Sequence, residues 1–128
     1  MKQVFKTRTF IRWIRKVGIT DNVLSKAVDE MARGLIDADL GGGIVKKRLA
    51  IPGQGKRGGV RTIVATKKED RWVFLFGYTK NERTTIEAGE LKALQELAKE
   101  YLEFDACQIR RAVEKGVLTE IDYGGHEK

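Results

Sequence analysis

The 128-residue sequence contains few of the residues that cross-link a fold or bind a metal. It has one cysteine, Cys107, and one histidine, His126, so it offers neither an internal disulfide nor a Cys/His zinc cluster. It has one proline and no apolar run near the roughly 20 residues of a membrane span. Its N terminus, with Lys2 and Lys6, lacks the apolar segment of a secretion signal. We therefore expect one cytoplasmic domain without metal, cofactor or membrane contact.

The side-chain sets of common hydrolases are also missing from the sequence. No carboxylate pair, Ser/His/Asp set or Cys/His set is evident. Metal-free RNA cleavage stays open, because it needs a base for the ribose 2′-hydroxyl, cations for the phosphate and a donor for the leaving 5′-oxygen. Crowded cations can serve, since positive neighbours lower the pKa of a lysine while arginines bind the phosphate.

Basic charge is what the sequence has in excess, and it is concentrated in two blocks. The formal net charge is +7. Residues 1–20 carry +6 and residues 41–83 carry +8, whereas residues 21–40 carry −3 and residues 84–128 carry −4. Such blocks suit a nucleic-acid partner, because phosphate neutralisation and counterion release supply much of that affinity. A solubilising surface explains the charge equally well, so charge alone leaves both readings open.

Hydrophobic spacing predicts an α+β fold, with a helical hairpin packed on a small antiparallel meander and followed by C-terminal helices. From the N terminus, the predicted elements are an edge strand at Val4 and Phe5, a helical hairpin over residues 10–17 and 20–35, three meander strands at residues 44–51, 60–67 and 72–78, a helix from Leu91 to Leu102, a helix around residues 109–113, and a short strand at residues 117–121. Thr20 and Asp105 are predicted helix caps. Gly34, together with the three glycines at residues 41–43, is predicted to end the second helix.

The loop between the first two meander strands contains the pattern G-x-G-x-x-G at residues 53–58. A dinucleotide site needs a helix to begin on this pattern, and here the glycines lead into a strand. The loop also carries Lys56 and Arg57. These two cations either contact an RNA backbone or merely belong to a hairpin connection.

The first meander strand presents cations on one face. Alternation places Lys46 and Arg48 together, with Lys47 on the opposite, core side. Arg61 in the next strand can share their face, although the sequence does not fix the register between the strands. Like charges on neighbouring strands repel, so this pattern favours a bound anion between them. A solvated sheet face is the alternative.

The third meander strand has an aromatic residue at every second position from Trp72 to Tyr78, which predicts core packing. Tyr78 can stack a base only if its ring faces outward. The strand leads to Lys80, Asn81, Glu82 and Arg83, at an edge where a rigid sheet often presents chemistry. Glu82 is expected to pair with a neighbouring cation.

Three segments together resemble a known family. They are residues 39–48 (DLGGGIVKKR), residues 53–62 (GQGKRGGVRT) and residues 78–83 (YTKNER). They resemble the RelE/ParE superfamily of bacterial toxin–antitoxin toxins, and within it the HigB-like branch. The resemblance covers roughly residues 3–102. It implies a toxin domain over residues 1–103, with residues 104–128 as a helical extension and polar tail of the same domain.

The resemblance implies a ribosome-dependent endoribonuclease that cuts mRNA in the decoding site, beside 16S rRNA, and is neutralised by a cognate helix-turn-helix antitoxin. It assigns catalytic roles to Lys46, Arg48, Arg61, Lys80 and Arg83, and RNA binding to Lys47, Lys56, Arg57 and Asn81. Asn81 and Glu87 stand where RelE has an arginine and a tyrosine, which leaves the donor to the 5′-oxygen unassigned. The alternative function is a non-catalytic basic module that binds RNA, DNA or a protein.

Overall fold

The computed structural model describes residues 2–51, 55–67, 70–82 and 85–121, without the side chains of residues 55–58. A six-stranded sheet runs through these residues. In chain order the elements are β1 (Gln3–Thr7), α1 (Arg8–Val17), α2 (Asp21–Ala32), β2 (Ala38–Gly41), β3 (Ile44–Ile51), β4 (Gly55–Thr66), β5 (Arg71–Thr79), α3 (Ala88–Glu103), α4 (Ala106–Glu114) and β6 (Leu118–Glu120). The α+β class and the predicted third and fourth helices are confirmed.

The strand order is β2-β3-β4-β5-β1-β6, and only the β1/β5 pair is parallel among these neighbours. The predicted antiparallel meander is confirmed as β3, β4 and β5. The prediction that Val4 and Phe5 form an edge strand is wrong, because β1 lies between β5 and β6. Both side chains are 1% exposed and belong to opposite faces of the sheet, which suits an interior strand.

The second predicted helix is too long. The Thr20 hydroxyl accepts the Val23 N–H and caps α2 as predicted, but the helix ends at Ala32 and Leu35 is 53% exposed. The next residues form β2, a strand that the spacing did not predict. The glycines at 41–43 have φ values of 80°, 62° and 84°, which glycine adopts at little cost. They therefore form the turn between β2 and β3 rather than the end of a helix.

Apolar side chains form a separate core on each side of the sheet. On one side, which we call the hairpin face, the sheet packs against α1 and α2. Phe10, Leu24 and Phe74 are buried in the same cluster there. On the other side, which we call the α3 face, the sheet packs against α3 and α4. Ala98 and Ile109 belong to the same buried cluster as the sheet residues there.

A β-bulge divides the aromatic residues of β5 between these two faces. Ile63 pairs with Phe76 and Val64 pairs with Phe74, which leaves Leu75 as the extra residue. Trp72 and Phe74 lie on the hairpin face, whereas Phe76 and Tyr78 lie on the α3 face. The predicted core packing is confirmed for Trp72, Phe74 and Tyr78, and the extra residue divides these side chains between two cores because it reverses the alternation.

Candidate nucleic-acid interface

Cationic side chains cluster at one end of the α3 face. Arg48 in β3 lies directly opposite Arg61 in β4, and Arg61 lies opposite Tyr78 in β5. Lys46 precedes Arg48 by two residues and therefore lies on the same face of β3. The register that the sequence left open thus brings Arg61 beside the two cations of β3. We call Lys46, Arg48 and Arg61 the cationic face.

The charges of the cationic face are available to an anion. Arg48 is exposed, and Lys46 and Arg61 are half-buried. Within the described part of the chain, no hydrogen bond or ion pair engages the three charged side-chain groups. The nearby carboxylate of Asp37 accepts the backbone N–H of Arg48. Directly opposed like charges destabilise a strand pair, and an anion between them relieves that repulsion.

The position of α3 explains why the cationic face is open. The C-terminal half of this helix lies at the start of β3, where a Cβ added to Gly43 would be 3.1 Å from Cδ1 of Leu102. Earlier in α3, Gln95 Nε2 donates to the carbonyl oxygen of Leu40 at 3.1 Å. The helix thus covers the end of β3 that is remote from Arg48.

A turn after β5 carries the next two sequence-predicted residues. Lys80 and Asn81 are both exposed and follow Tyr78 and Thr79, so they lie at the same end of the sheet as Arg61. The turn is closed by Glu82, whose Oε1 accepts the Thr79 backbone N–H at 2.7 Å.

Among the residues that the structure describes, Glu82 binds backbone and indole rather than a paired cation. Its Oε1 also accepts Nε1–H of Trp13 at 3.4 Å. The backbone hydrogen bond from Thr79 is the main cause that holds the pKa of Glu82 below its ordinary value. Hydrogen bonds from Trp13 and the Thr79 hydroxyl and the charge of Lys16 act in the same direction, while partial desolvation opposes them. The structure therefore shows no cation paired with Glu82 among the described residues, and Lys16 contributes only a charge attraction.

Lys47 lies apart from the cationic face. It is on the hairpin face and 5% exposed, which confirms the prediction that it points to the core side. Its Nζ is 2.8 Å from Oε1 of Glu30 and donates to the Leu35 carbonyl oxygen at 2.8 Å. A buried ammonium that is already paired is not free to bind a phosphate, so we exclude Lys47 from the interface.

The structure gives only partial information on the other residues that the sequence analysis singled out. Lys56 and Arg57 lie in the first residues of β4, where the structure does not describe their side chains, and Arg83 lies outside the described residues. Glu87 is the N-cap of α3, and its backbone N–H donates to Oε1 of Glu90 at 3.3 Å. Tyr78 is 2% exposed, so its ring does not face outward to stack a base.

The cationic face is an open surface, whereas an apolar cavity of the described residues lies elsewhere. A cavity of about 520 Å³ lies at the opposite end of the sheet, with Met31, Ile44 and Trp72 among its walls. Among the described residues there is no cluster of three or more His, Cys, Asp or Glu that could hold a metal. No helix in the described ranges is long and apolar enough to cross a membrane. An open row of cations fits an extended polyanion better than an enclosed small molecule.

The chain was compared with protein-family models and with curated proteins. The model of a family described as the RelE toxin of the RelE/RelB toxin-antitoxin system matches residues 2–121. A search of curated proteins gave no match. The matched range contains the cationic face and extends past residue 102 through α4 and β6. The narrower assignment to a HigB-like branch stays a prediction.

Proposed function

Because the chain belongs to the RelE toxin family of toxin–antitoxin systems, we propose that it is an endoribonuclease that cuts mRNA on the ribosome. The supporting observation is the direct opposition of Arg48 and Arg61, with Lys46 beside them, on an open face. Three cations without a carboxylate partner in the described part provide the charge that a crowded phosphate requires.

The proposed chemistry uses the RNA's own 2′-hydroxyl as the nucleophile. A base takes its proton, the 2′-oxygen attacks the adjacent phosphorus, and the bond between phosphorus and the 5′-oxygen breaks. The products are a 2′,3′-cyclic phosphate and a 5′-hydroxyl, after the leaving oxygen gains a proton. The protein therefore has to supply proton transfer at two oxygens and positive charge at the phosphate.

We assign these tasks from the positions of the side chains. Arg48 and Arg61 bind the non-bridging phosphate oxygens, since a guanidinium can donate two parallel hydrogen bonds to them. Lys46, on the same face, is the proposed base for the 2′-hydroxyl. Lys80 approaches from the turn after β5 as the proposed donor to the 5′-oxygen. Arg83, assigned to the same flank by sequence resemblance, stays a prediction.

The ribosome is the proposed source of substrate alignment. Arg48 is exposed and Lys46 and Arg61 are half-buried, so an open face of this kind leaves a flexible RNA strand free to move out of line unless another surface aligns it. In the decoding site, 16S rRNA and the bound tRNA fix the path of the mRNA, and the toxin then adds the missing charges. A cognate helix-turn-helix antitoxin is the proposed inhibitor, acting by covering this face or blocking access to the ribosome.

Expression of the chain alone in a bacterium tests the proposal. Growth arrest accompanied by mRNA cuts in phase with codons would support it, whereas normal growth with intact mRNA would contradict it. A small helix-turn-helix protein encoded beside the gene should restore growth when both are expressed. If that protein leaves the arrest unchanged, the antitoxin part of the proposal is wrong.

A non-catalytic basic module is the second candidate, and one observation favours it. The resemblance to RelE places Asn81 and Glu87 where RelE has an arginine and a tyrosine, and Glu87 is the N-cap of α3. An amide cannot transfer a proton as a general acid. In this case the chain would bind RNA with strong salt dependence and generate no new 5′ ends.

A further inference from the structure

The indole ring of Trp13 in α1 rests directly on the backbone of β5. A Cβ added to Gly77 would overlap the six-membered ring of Trp13 and lie 2.6 Å from its Cη2. The ring is also held from the core side, since its centroid lies 5.6 Å from that of the fully buried Phe10. Only glycine leaves room for this contact, so the position of Trp13 is fixed relative to the end of β5.

The polar edge of the same indole reaches the turn that follows β5. Trp13 Nε1 donates to Oε1 of Glu82 at 3.4 Å, and this oxygen also accepts the Thr79 N–H at 2.7 Å. The Glu82 N–H donates in return to Oγ1 of Thr79 at 3.2 Å and to its carbonyl oxygen at 3.1 Å. One carboxylate therefore joins α1 to both ends of a four-residue turn.

The two residues enclosed by this turn are Lys80 and Asn81. Both are exposed, so the side chain of Lys80 samples many rotamers, and the turn sets the backbone position from which it reaches out. We infer that Glu82 is a positioning residue that acts with Trp13 to hold Lys80 at the edge of the cationic face. This inference rests on the proposed function for its consequence in cleavage, but the contacts of Glu82 can be tested without it.

The charge of Glu82 strengthens the arrangement. A carboxylate accepts stronger hydrogen bonds than an amide oxygen, and here one oxygen receives two donors. Lys16 on α1 adds a favourable charge interaction. A neutral side chain at residue 82 should therefore weaken the link between α1 and the turn while leaving the core of α1, at Phe10 and Ile14, intact.

The first test measures the turn itself by NMR. The chain has two tryptophans, so the indole N–H resonance of Trp13 can be followed with that of Trp72 as an internal reference. In Glu82→Ala we expect the Trp13 indole resonance to shift, the Trp72 resonance to stay, and the amides of Lys80 and Asn81 to lose order on the ps–ns scale. If those amides stay as ordered as in the parent, the positioning role is wrong, whether or not the protein cleaves RNA.

The second test measures cleavage of ribosome-bound mRNA as a function of ribosome concentration. We expect Glu82→Ala to lower the maximal rate by about tenfold or more, with little change in the half-saturating ribosome concentration, because misplacement of a reacting group affects the chemical step. Trp13→Phe keeps a ring over Gly77 without the N–H and should lower the rate in the same direction. Glu114→Ala, at the exposed end of α4, is the matched control and should cleave like the parent.

Combining Glu82→Ala with Lys80→Ala separates positioning from a general loss of stability. If Glu82 acts through Lys80, the double variant cleaves no more slowly than Lys80→Ala. If the two losses multiply in the double variant, the inference is wrong. It is also wrong if Glu82→Ala cleaves at the parental rate while Lys80→Ala cleaves slowly. If the parent itself does not cleave, the proposed function fails, and the NMR result alone decides the role of Glu82.

Discussion

Arg48 and Arg61 face each other as direct neighbours across the antiparallel strands β3 and β4. Their Cβ atoms are therefore expected about 5 Å apart, close enough for one phosphate to contact both guanidinium groups. The repulsion between them is a cost in the free protein that a bound phosphate removes. This relationship is the structural basis for the RNA-cleaving function proposed for this RelE-family chain.

The two adjacent lysines of β3 should separate activity from stability. Lys46→Ala should lower cleavage by about 100-fold, because it removes a proposed proton acceptor, and change the free energy of unfolding by less than about 1 kcal/mol. Lys47→Ala should instead lower the free energy of unfolding by about 1–3 kcal/mol, because it removes a buried ammonium that pairs with Glu30 and donates to the Leu35 carbonyl oxygen. Urea unfolding and ribosome-dependent cleavage, measured on both variants, check this. The reverse pattern would contradict our placement of the site on the α3 face.

Arg61→Ala should relieve growth arrest while the protein stays folded. The guanidinium is a proposed phosphate ligand, and loss of one such charged donor should lower the cleavage rate by about 100-fold or more. Arg33→Ala, at the exposed C-cap of α2, is the control and should still arrest growth. Circular dichroism and growth curves after induction provide the measurements. Undiminished arrest by both Arg61→Ala and Lys46→Ala would rule out the cationic face as the reaction site.

Gly77→Ala should destabilise the fold, because the new methyl group would meet the ring of Trp13. Overpacking of this kind costs about 1–3 kcal/mol. Gly89→Ala, in the first turn of α3 with no atom near the added Cβ, should be neutral or stabilising by up to about 1 kcal/mol. Chemical denaturation of both variants tests the contrast. Equal stabilities would show that the indole does not occupy this position.

The stabilising effect of Glu82 should depend on pH. Its pKa is below the ordinary value in the folded chain, chiefly because the Thr79 backbone N–H binds the carboxylate, and is ordinary in the unfolded chain. The stabilisation is therefore complete above the ordinary glutamate range and is lost as the pH falls through the lowered value. Since Glu82 is exposed, screening should keep it below about 1 kcal/mol.

The comparison that tests this is parent against Glu82→Gln in urea unfolding at a series of pH values. The parent should be the more stable protein at neutral pH, and the two curves should converge under acid conditions. A difference that stays constant across the series would show that the carboxylate charge does not contribute.

Local patterns in the sequence predicted much of this structure. Two-residue alternation correctly separates Lys46 and Arg48 from Lys47, because a strand has only two faces. Capping chemistry correctly places Thr20 and Asp105 at helix starts, where their side chains accept backbone N–H groups. Such features depend on residues close together in the chain, which is why the sequence carries them.

Features that depend on distant pairing were not predictable in this way. The interior position of β1 follows from its parallel pairing with β5, and the bulge at Leu75 follows from the register between β4 and β5. Trp13 and Glu82 are 69 residues apart, so no local period links them. The opposition of Arg48 and Arg61 likewise requires the register across residues 52–54, which spacing alone leaves free.

The most direct test of the central claim is to incubate the purified protein with one mRNA, free and bound to ribosomes, and to map the new ends and their chemistry. We predict codon-phased cuts on the ribosome-bound mRNA, each with a 2′,3′-cyclic phosphate and a 5′-hydroxyl, and a loss of these cuts in Arg48→Ala and Arg61→Ala. Intact mRNA on the ribosome with the parent protein, or equal cleavage by the parent and both arginine variants, would contradict the account.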